Sequence, residues 1–286
     1  MKALENNVNP ICVKQILVAL DSSKDSLTAF KIALELASIY GANIKGVFIE
    51  DTNLINLAEL PFHQEISQYT AQVREITSEG ISRSIHLQSR RVIRYFYQMV
   101  SLNELDGDFT VLHGDVIRTL ENECKTCDLI VMGKLGTKPA GRNKLGSTTK
   151  ALVKAQSKPL LLVEEQNQLD PFVVVFDPAP LGMTCLETAA DIMKEDELLV
   201  IFYPKSSENP DIKEFLRQWA KKKNINISLQ AFDPHKADRL LYEISRLTRG
   251  LLILAKTYSF MKSAFLTDCL NKISLPVLLL CDPEII

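Results

Sequence analysis

The feature that most restricts what this chain can fold into is a set of short apolar runs that occurs twice in the same order. Lys14 to Leu20 (KQILVAL) ends at Asp21, Asp128 to Met132 (DLIVM) ends at Gly133, and Leu160 to Val163 follows Pro159. Phe172 to Phe176 then ends at Asp177, and Gly250 to Ala255 and Pro276 to Leu280 take the places of the later two runs. Runs this short, rich in Val, Ile and Leu and without polar alternation, are strands buried on both faces. Such strands belong to parallel sheets, whose crossover connections put helices on both sides. The order predicts an α/β fold in two tandem doubly wound copies.

The intervening stretches supply the helices. Ser22 and Ser23 offer capping side chains, Phe30, Ala33, Leu34 and Ala37 recur at helical spacing, and Gly41 ends the pattern. Asn43 to Ile49 reads as a second strand in which Gly46 marks a close backbone approach. From Leu60 to Val100 the apolar positions Ile66, Tyr69, Val73, Ile76, Ile81, Ile85, Val92, Phe96 and Val100 keep roughly helical spacing, so helix is expected there, with Gly80 a break. Phe109 to Leu112 is a strand, and Asp115 to Cys124 and Ser147 to Ala155 are helices. After Glu164 the composition turns polar (EEQNQLDP), which places a linker there and divides the chain into residues 1–165 and 166–286. The second copy is shorter because it lacks the long helical segment.

Composition narrows the class. Hydrophobic residues make up 46% and charged residues 24% of the chain, the profile of a globular protein. A net charge of −2 provides no global field to gather nucleic acid. The longest apolar runs, such as Pro276 to Cys281, are six residues, against the about 20 that a membrane-spanning helix needs. Met1 to Pro10 has no apolar core of a secretory signal, so a cytoplasmic protein is expected. Cys12, Cys185, Cys269 and Cys281 stand alone and are expected as reduced thiols in or near the core.

The most informative stretch runs from Gly133 through Gly136 to Gly146, Ser147 and Thr148, between a buried strand and a helix. In a parallel sheet this loop emerges at the carboxyl edge, where ligands bind. Glycines there either form turns or let backbone amides approach phosphate oxygens, and the helix start adds free N–H groups and hydroxyls. Gly141 to Ser147 is not a Walker A loop, because the lysine before the Ser is missing. Nor does a G-x-G-x-x-G follow the first strand, where Asp21 stands instead.

The combination of ILVALD, HGD before a helix, DLIVMG, G-x2-G-x9-G-S and KPLLLV closely resembles the universal stress protein family. The resemblance covers Val13 to Val163 well and Pro171 to Pro283 more weakly. It implies two five-stranded parallel sheets of order 3-2-1-4-5, of the adenine nucleotide alpha hydrolase-like kind, with ATP, alone or with Mg2+, bound where the glycine pattern is kept. Carried over, Asp21 faces the ribose and adenine, Ile49 offers its backbone to the adenine edge, and Gly133, Gly136, Gly146, Ser147 and Thr148 surround the triphosphate. In the second copy Ala255, Lys256, Thr257 and Tyr258 replace Gly133 to Gly136, Ser263 and Ala264 stand near Gly146 and Ser147, and five loop residues are missing. The C-terminal copy is therefore expected to be structural, a built-in partner for the first, with a homodimer as the further assembly.

Other motifs fit blander roles. Cys124-x-x-Cys127 ends a helix rather than beginning one, where low-pKa thiolates are favoured, so helix-end packing is expected. His63, His86, His113 and His235 show no metal-ligand spacing and are read as structural or solvated. Arg83, Arg90, Arg91 and Arg94 beside Tyr95, Phe96 and Tyr97 read as a solvated helix face, and nucleic acid is not an expected partner. Two function classes remain: a nucleotide-responsive regulatory module, or a slow ATP hydrolase or phosphotransfer enzyme. The second needs a metal clamp and a positioned base, and Asp21 is the obvious acid near the loop, so the first is preferred.

Overall fold

The computed structural model describes residues 9–54, 64–66, 73–75, 78–136, 145–155, 157–165, 168–205, 211–256 and 264–281. Strand β1 (Gln15–Ala19) runs through Asp21 into helix α1 (Lys24–Tyr40). Ser23 caps that helix by accepting from the Ser26 N–H, and Gly41 ends it by donating to the Ala37 carbonyl. β2 (Asn43–Asp51) lies parallel to β1. Helix α2 (Ser78–Leu102), β5 (Gly107–Gly114), α3 (Val116–Glu123), β6 (Leu129–Gly133), α4 (Ser147–Ala155) and β7 (Leu160–Val163) complete the first half, with a small hairpin of β3 (Gln64–Ile66) and β4 (Val73–Glu75) ahead of α2. The second half contains β8 (Phe172–Val175), α5 (Pro180–Ile192), β9 (Leu198–Pro204), α6 (Ile212–Lys223), β10 (Asn226–Phe232), α7 (Ala237–Ser245), β11 (Leu251–Ala255), α8 (Ala264–Lys272) and β12 (Val277–Leu280).

Ten strands form one sheet in the order β10-β9-β8-β11-β12-β7-β6-β1-β2-β5. Each set of five reads 3-2-1-4-5 in its own numbering, as the resemblance implies. The two sets meet edge to edge: β12 and β7 pair antiparallel, with Leu278 opposite Leu161. The halves therefore share one sheet, where the sequence reading has two. Alternate strand residues feed two cores. One, around Phe30, Phe96, Met183 and Leu216, lies under α1, α2, α5 and α6. The other, around Leu120, Leu152, Leu241 and Leu270, lies under α3, α4, α7 and α8.

Gly46 is the close approach its place in β2 suggested. A Cβ there would stand 2.5 Å from the Phe109 ring and 2.7 Å from that of Phe96. Phe96 in turn stacks on Phe30 at 5.1 Å. The bare backbone admits these rings onto the sheet.

Three expectations need correction. The segment from Leu60 to Val100 is not helical throughout: Ile66 and Val73 pair across the antiparallel β3–β4 hairpin, and helix begins at Ser78. Over a few residues, apolar positions three or four apart do not distinguish a helix from short extended pieces. Gly80 lies in the first turn of α2 and does not break it. Leu60, Tyr69 and Ile76 lie outside the described residues. Cys12, expected near the core, is exposed, whereas Cys185 and Cys269 are buried and Cys281 is partly so.

Candidate functional site

In the N-terminal half the strand order reverses direction at β1, between β2 and β6, and a cavity of about 540 Å³ opens there beyond the carboxyl ends of the strands. This is the topological switch point at which open α/β sheets accept ligands. Asp21, Ile49, Gly133, Gly136, Gly146, Ser147 and Thr148 all line this cavity. The structure thus brings together every residue that the resemblance assigned to the nucleotide site, from the ends of three strands and the start of one helix. The cavity has an apolar floor of Ala19, Val47, Ile49, Leu120 and Met132, and a polar end at the glycine loop.

Asp21 serves two neighbours with its two oxygens. Its Oδ1 accepts from the Ser23 N–H at 3.0 Å and the Ser23 hydroxyl at 2.6 Å, which fixes the turn into α1. Its Oδ2 faces Gly136, where an added Cβ would lie 3.5 Å away. Gly136 itself has φ +73°, a left-handed conformation that costs other residues energy. A Cβ on Gly133 would lie 2.9 Å from the Ser26 nitrogen, so the strand end can seat against α1 only as glycine. Gly146 passes equally close to the Leu135 carbonyl, 2.8 Å from an added Cβ. Its own carbonyl accepts from Lys150 N–H at 3.0 Å, opening α4. The first-turn N–H groups of α4 have no acceptor within the helix, and the hydroxyls of Ser147 and Thr148 stand beside them. Residues 137–144, the middle of the loop, lie outside the described residues.

Three residues that the sequence reading missed hold the loop in place. Asp25, buried, accepts from the Leu135 N–H at 3.3 Å through Oδ2. Burial pushes its carboxyl above the usual range, and the bond from Leu135 opposes that rise. Lys134, 3% exposed, pairs with Glu164 at 3.1 Å. Burial draws its pKa down while Glu164 draws it back up. Thr149 is buried and donates its hydroxyl to the Lys134 carbonyl at 3.0 Å. Only a charged residue inside a glycine loop and an acid in the first turn of α1 hinted at the first two, and both patterns are common on surfaces.

The remaining motifs lie apart from the cavity lining. Cys124 and Cys127 are both buried at the end of α3, where the Cys127 thiol donates to the Cys124 carbonyl at 3.3 Å. The hydrogen bond with Cys127, then burial, pushes the Cys124 thiol far up. Glu50, 7% exposed, is flanked by His113 at 3.1 Å and His86 at 3.4 Å, a pairing of histidines that spacing along the chain did not suggest. His63 and the positions Thr257, Tyr258 and Ser263 lie outside the described residues. Among the described residues no group of three His, Cys, Asp or Glu side chains could hold a metal. Arg83, Arg90, Arg91 and Arg94 are exposed on α2 while Phe96 is buried, as a solvated helix face requires.

The second half presents different residues at the matching positions. Ala19, two residues before Asp21, lies opposite Val47, and Val175, two before Asp177, lies opposite Phe202. Extending the register sets Phe232 where Leu112 stands, because Val47 faces Thr110 and Phe202 faces Gln230. Phe265, second in α8, takes the place of Thr148, second in α4. Phe202, Phe232 and Phe265 are all buried in one cluster. Aromatic rings thus occupy the face that carries the cavity in the first half.

A paired 3-2-1-4-5 sheet with a ligand-sized cavity at the switch point defines a tandem doubly wound α/β protein. The universal stress protein family model matches residues 13–164, more than half of the chain, and the chain belongs to that family. A universal stress protein of Mycolicibacterium smegmatis is 28% identical over 184 residues, 62% of this chain and 58% of that protein. The chain therefore spans less than two thirds of that relative's length. Among solved structures, a universal stress protein from Archaeoglobus fulgidus has a TM-score of 0.67 at 14% identity, covering 97% of this chain and 99% of that one. A functionally unknown protein from Pseudomonas aeruginosa PAO1 has a TM-score of 0.66 at 11% identity, covering 99% and 96%. These similarities concern the fold. Among the described residues no helix is long and apolar enough to cross a membrane.

Proposed function

We propose that the N-terminal half binds one molecule of ATP, alone or with Mg2+, and that the protein is a nucleotide-responsive stress or regulatory module of the cytoplasm. The observation that carries this reading is the polarity of the cavity: an apolar floor at Val47, Ile49 and Met132, and glycine backbone with helix-start donors at Gly136, Gly146, Ser147 and Thr148. An adenine ring suits the first, and a triphosphate suits the second. On this reading Asp21 Oδ2 accepts from a ribose hydroxyl while Oδ1 stays engaged by Ser23. Such a site binds by differential affinity for loop arrangements, and occupancy then shifts a conformational or assembly equilibrium. Turnover on this reading is slow or absent. The C-terminal half, with Phe202, Phe232 and Phe265 in the corresponding space, acts as a structural partner without its own nucleotide.

Mass spectrometry of nucleotide released from freshly purified protein, followed by calorimetry on the full chain, tests the reading. One ATP per chain is expected. A stoichiometry near two, or no adenine nucleotide binding at all, overturns it.

A further inference from the structure

We propose that Lys134 is a positioning residue that fastens the glycine loop to the C-terminal half, so that the ATP site and the seam between the halves change together. This rests on the nucleotide reading above. Lys134 directly follows Gly133 at the end of β6, yet its side chain crosses the seam. Its Nζ donates to the carbonyl of Ile273, just past the end of α8, and pairs with Glu164 on the near side. Helix ends leave carbonyls without intrahelical donors and carry the negative end of the dipole, which is where a cation belongs.

The loop is tied at its other end to the same place. The Leu145 N–H donates to Asn271 Oδ1, in the last turn of α8, at 3.3 Å. Between these two ties the Lys134 carbonyl accepts from the Gly146 N–H at 3.2 Å and from the Thr149 hydroxyl at 3.0 Å. One residue therefore joins the start of the loop, its end and the opposite half. The repeat supplies an independent observation. Lys256 follows Ala255 as Lys134 follows Gly133, and its Nζ donates back across the seam to the Lys154 carbonyl, in the last turn of α4, at 3.4 Å. Each half sends its post-strand lysine to the closing end of the other half's last helix.

A buried lysine held by a carboxylate and a carbonyl is tolerated only while those partners stay in place. A nucleotide that selects one arrangement of Gly136 and Gly146 must then also select the arrangement of residues 271–273. By linkage, a change at residues 271–273 alters nucleotide affinity by the same factor.

The test uses full-length Lys134→Met and Asn271→Ala, with amide hydrogen exchange and ATP calorimetry. Without nucleotide, both variants should exchange faster than the wild type at residues 145–149. Unchanged exchange there overturns the proposal whether or not ATP binds. With ATP, affinity should fall by about tenfold, within the 5- to 150-fold span of ordinary couplings. At saturating ATP, wild-type protein should gain protection at residues 269–275 and at Ser23 to Ser26. Lys134→Met should keep the second gain and lose the first. Retention of both gains means that Lys134 merely fills the seam, and overturns the proposal. If Lys134→Met does not fold, the same pattern in Asn271→Ala decides. Failure of the wild type to bind any adenine nucleotide defeats the nucleotide reading and the linkage built on it. The nucleotide-free exchange still decides separately whether the latch shapes the loop.

Discussion

Gly136 offers the sharpest perturbation, because its cost to the free protein and its cost to binding separate cleanly. The residue is exposed, its φ is +73°, and among the described residues an added Cβ would meet Asp21 Oδ2 alone, at an ordinary 3.5 Å. Gly136→Ala therefore costs the left-handed backbone alone, about 1–2 kcal/mol, and unfolding should shift by only a few degrees. Gly136→Tyr has the same backbone cost, but its ring leaves from a Cβ aimed at Asp21 across the polar end of the cavity. Two charge-assisted hydrogen bonds to phosphate at about 1.5–3 kcal/mol each are then lost. Together they amount to about 3–6 kcal/mol, a weakening of Kd of roughly 10²- to 10⁴-fold. Calorimetric titration with ATP measures that loss, and circular dichroism with the fluorescence of Trp219, the sole tryptophan, follows the fold. Gly136→Tyr binding ATP within twofold of the wild type would refute the idea that the loop holds the phosphates.

Three further outcomes are expected. Thr148→Phe, which copies Phe265 onto the half-exposed second position of α4, should weaken ATP binding by at least tenfold and leave the unfolding free energy within about 1 kcal/mol of wild type; calorimetry and urea titration check both. Asp25 has a folded pKa raised above its usual 3.8 by burial, so its contribution to stability is full below 3.8 and declines as pH rises through the raised value. Asp25→Asn keeps an oxygen for the Leu135 N–H and removes the ionisation. Its stability relative to wild type should therefore rise with pH across that window, and parallel urea midpoints from pH 3 to 7 would count against the burial argument. Cys124→Ser with Cys127→Ser should leave ATP affinity unchanged, because the pair sits before β6 and the glycine loop follows it, a strand length of roughly 16 Å at about 3.3 Å per residue. A lost affinity in a folded double variant would refute the helix-end packing role and point to redox chemistry at the pair.

Much of the site was legible because its residues follow strand ends. Asp21 and Gly133 come directly at or after β1 and β6, and adjacent parallel strands bring their carboxyl ends to one edge. Ile49 came from the family resemblance alone, and the period of two along β2 sets it on the same face as Val47. Asp25, Lys134 and Thr149 were not legible, since each acts through a partner distant in the chain: Leu135 for Asp25, Ile273 for Lys134, and the Lys134 carbonyl for Thr149. The Glu50 pairing with His86 and His113 was hidden for the same reason, as β2, α2 and β5 meet only in the folded protein.

By itself the sequence determined the class of fold and, through its family resemblance, the strand order and seven of the positions that line the cavity. Continuous apolar runs, capping residues and glycine spacing are local signals, and burial and backbone geometry act on them residue by residue. Tertiary structure alone decided that the two halves share one ten-stranded sheet through β7 and β12, and that Lys134 turns away from the loop into the seam. Nothing in LLLV or VLLL states which edge strand each will meet, because backbone hydrogen bonding is blind to side-chain identity. A lysine likewise carries the same charge in solvent and in a seam. Only the arrival of Glu164 and the end of α8 makes its burial possible.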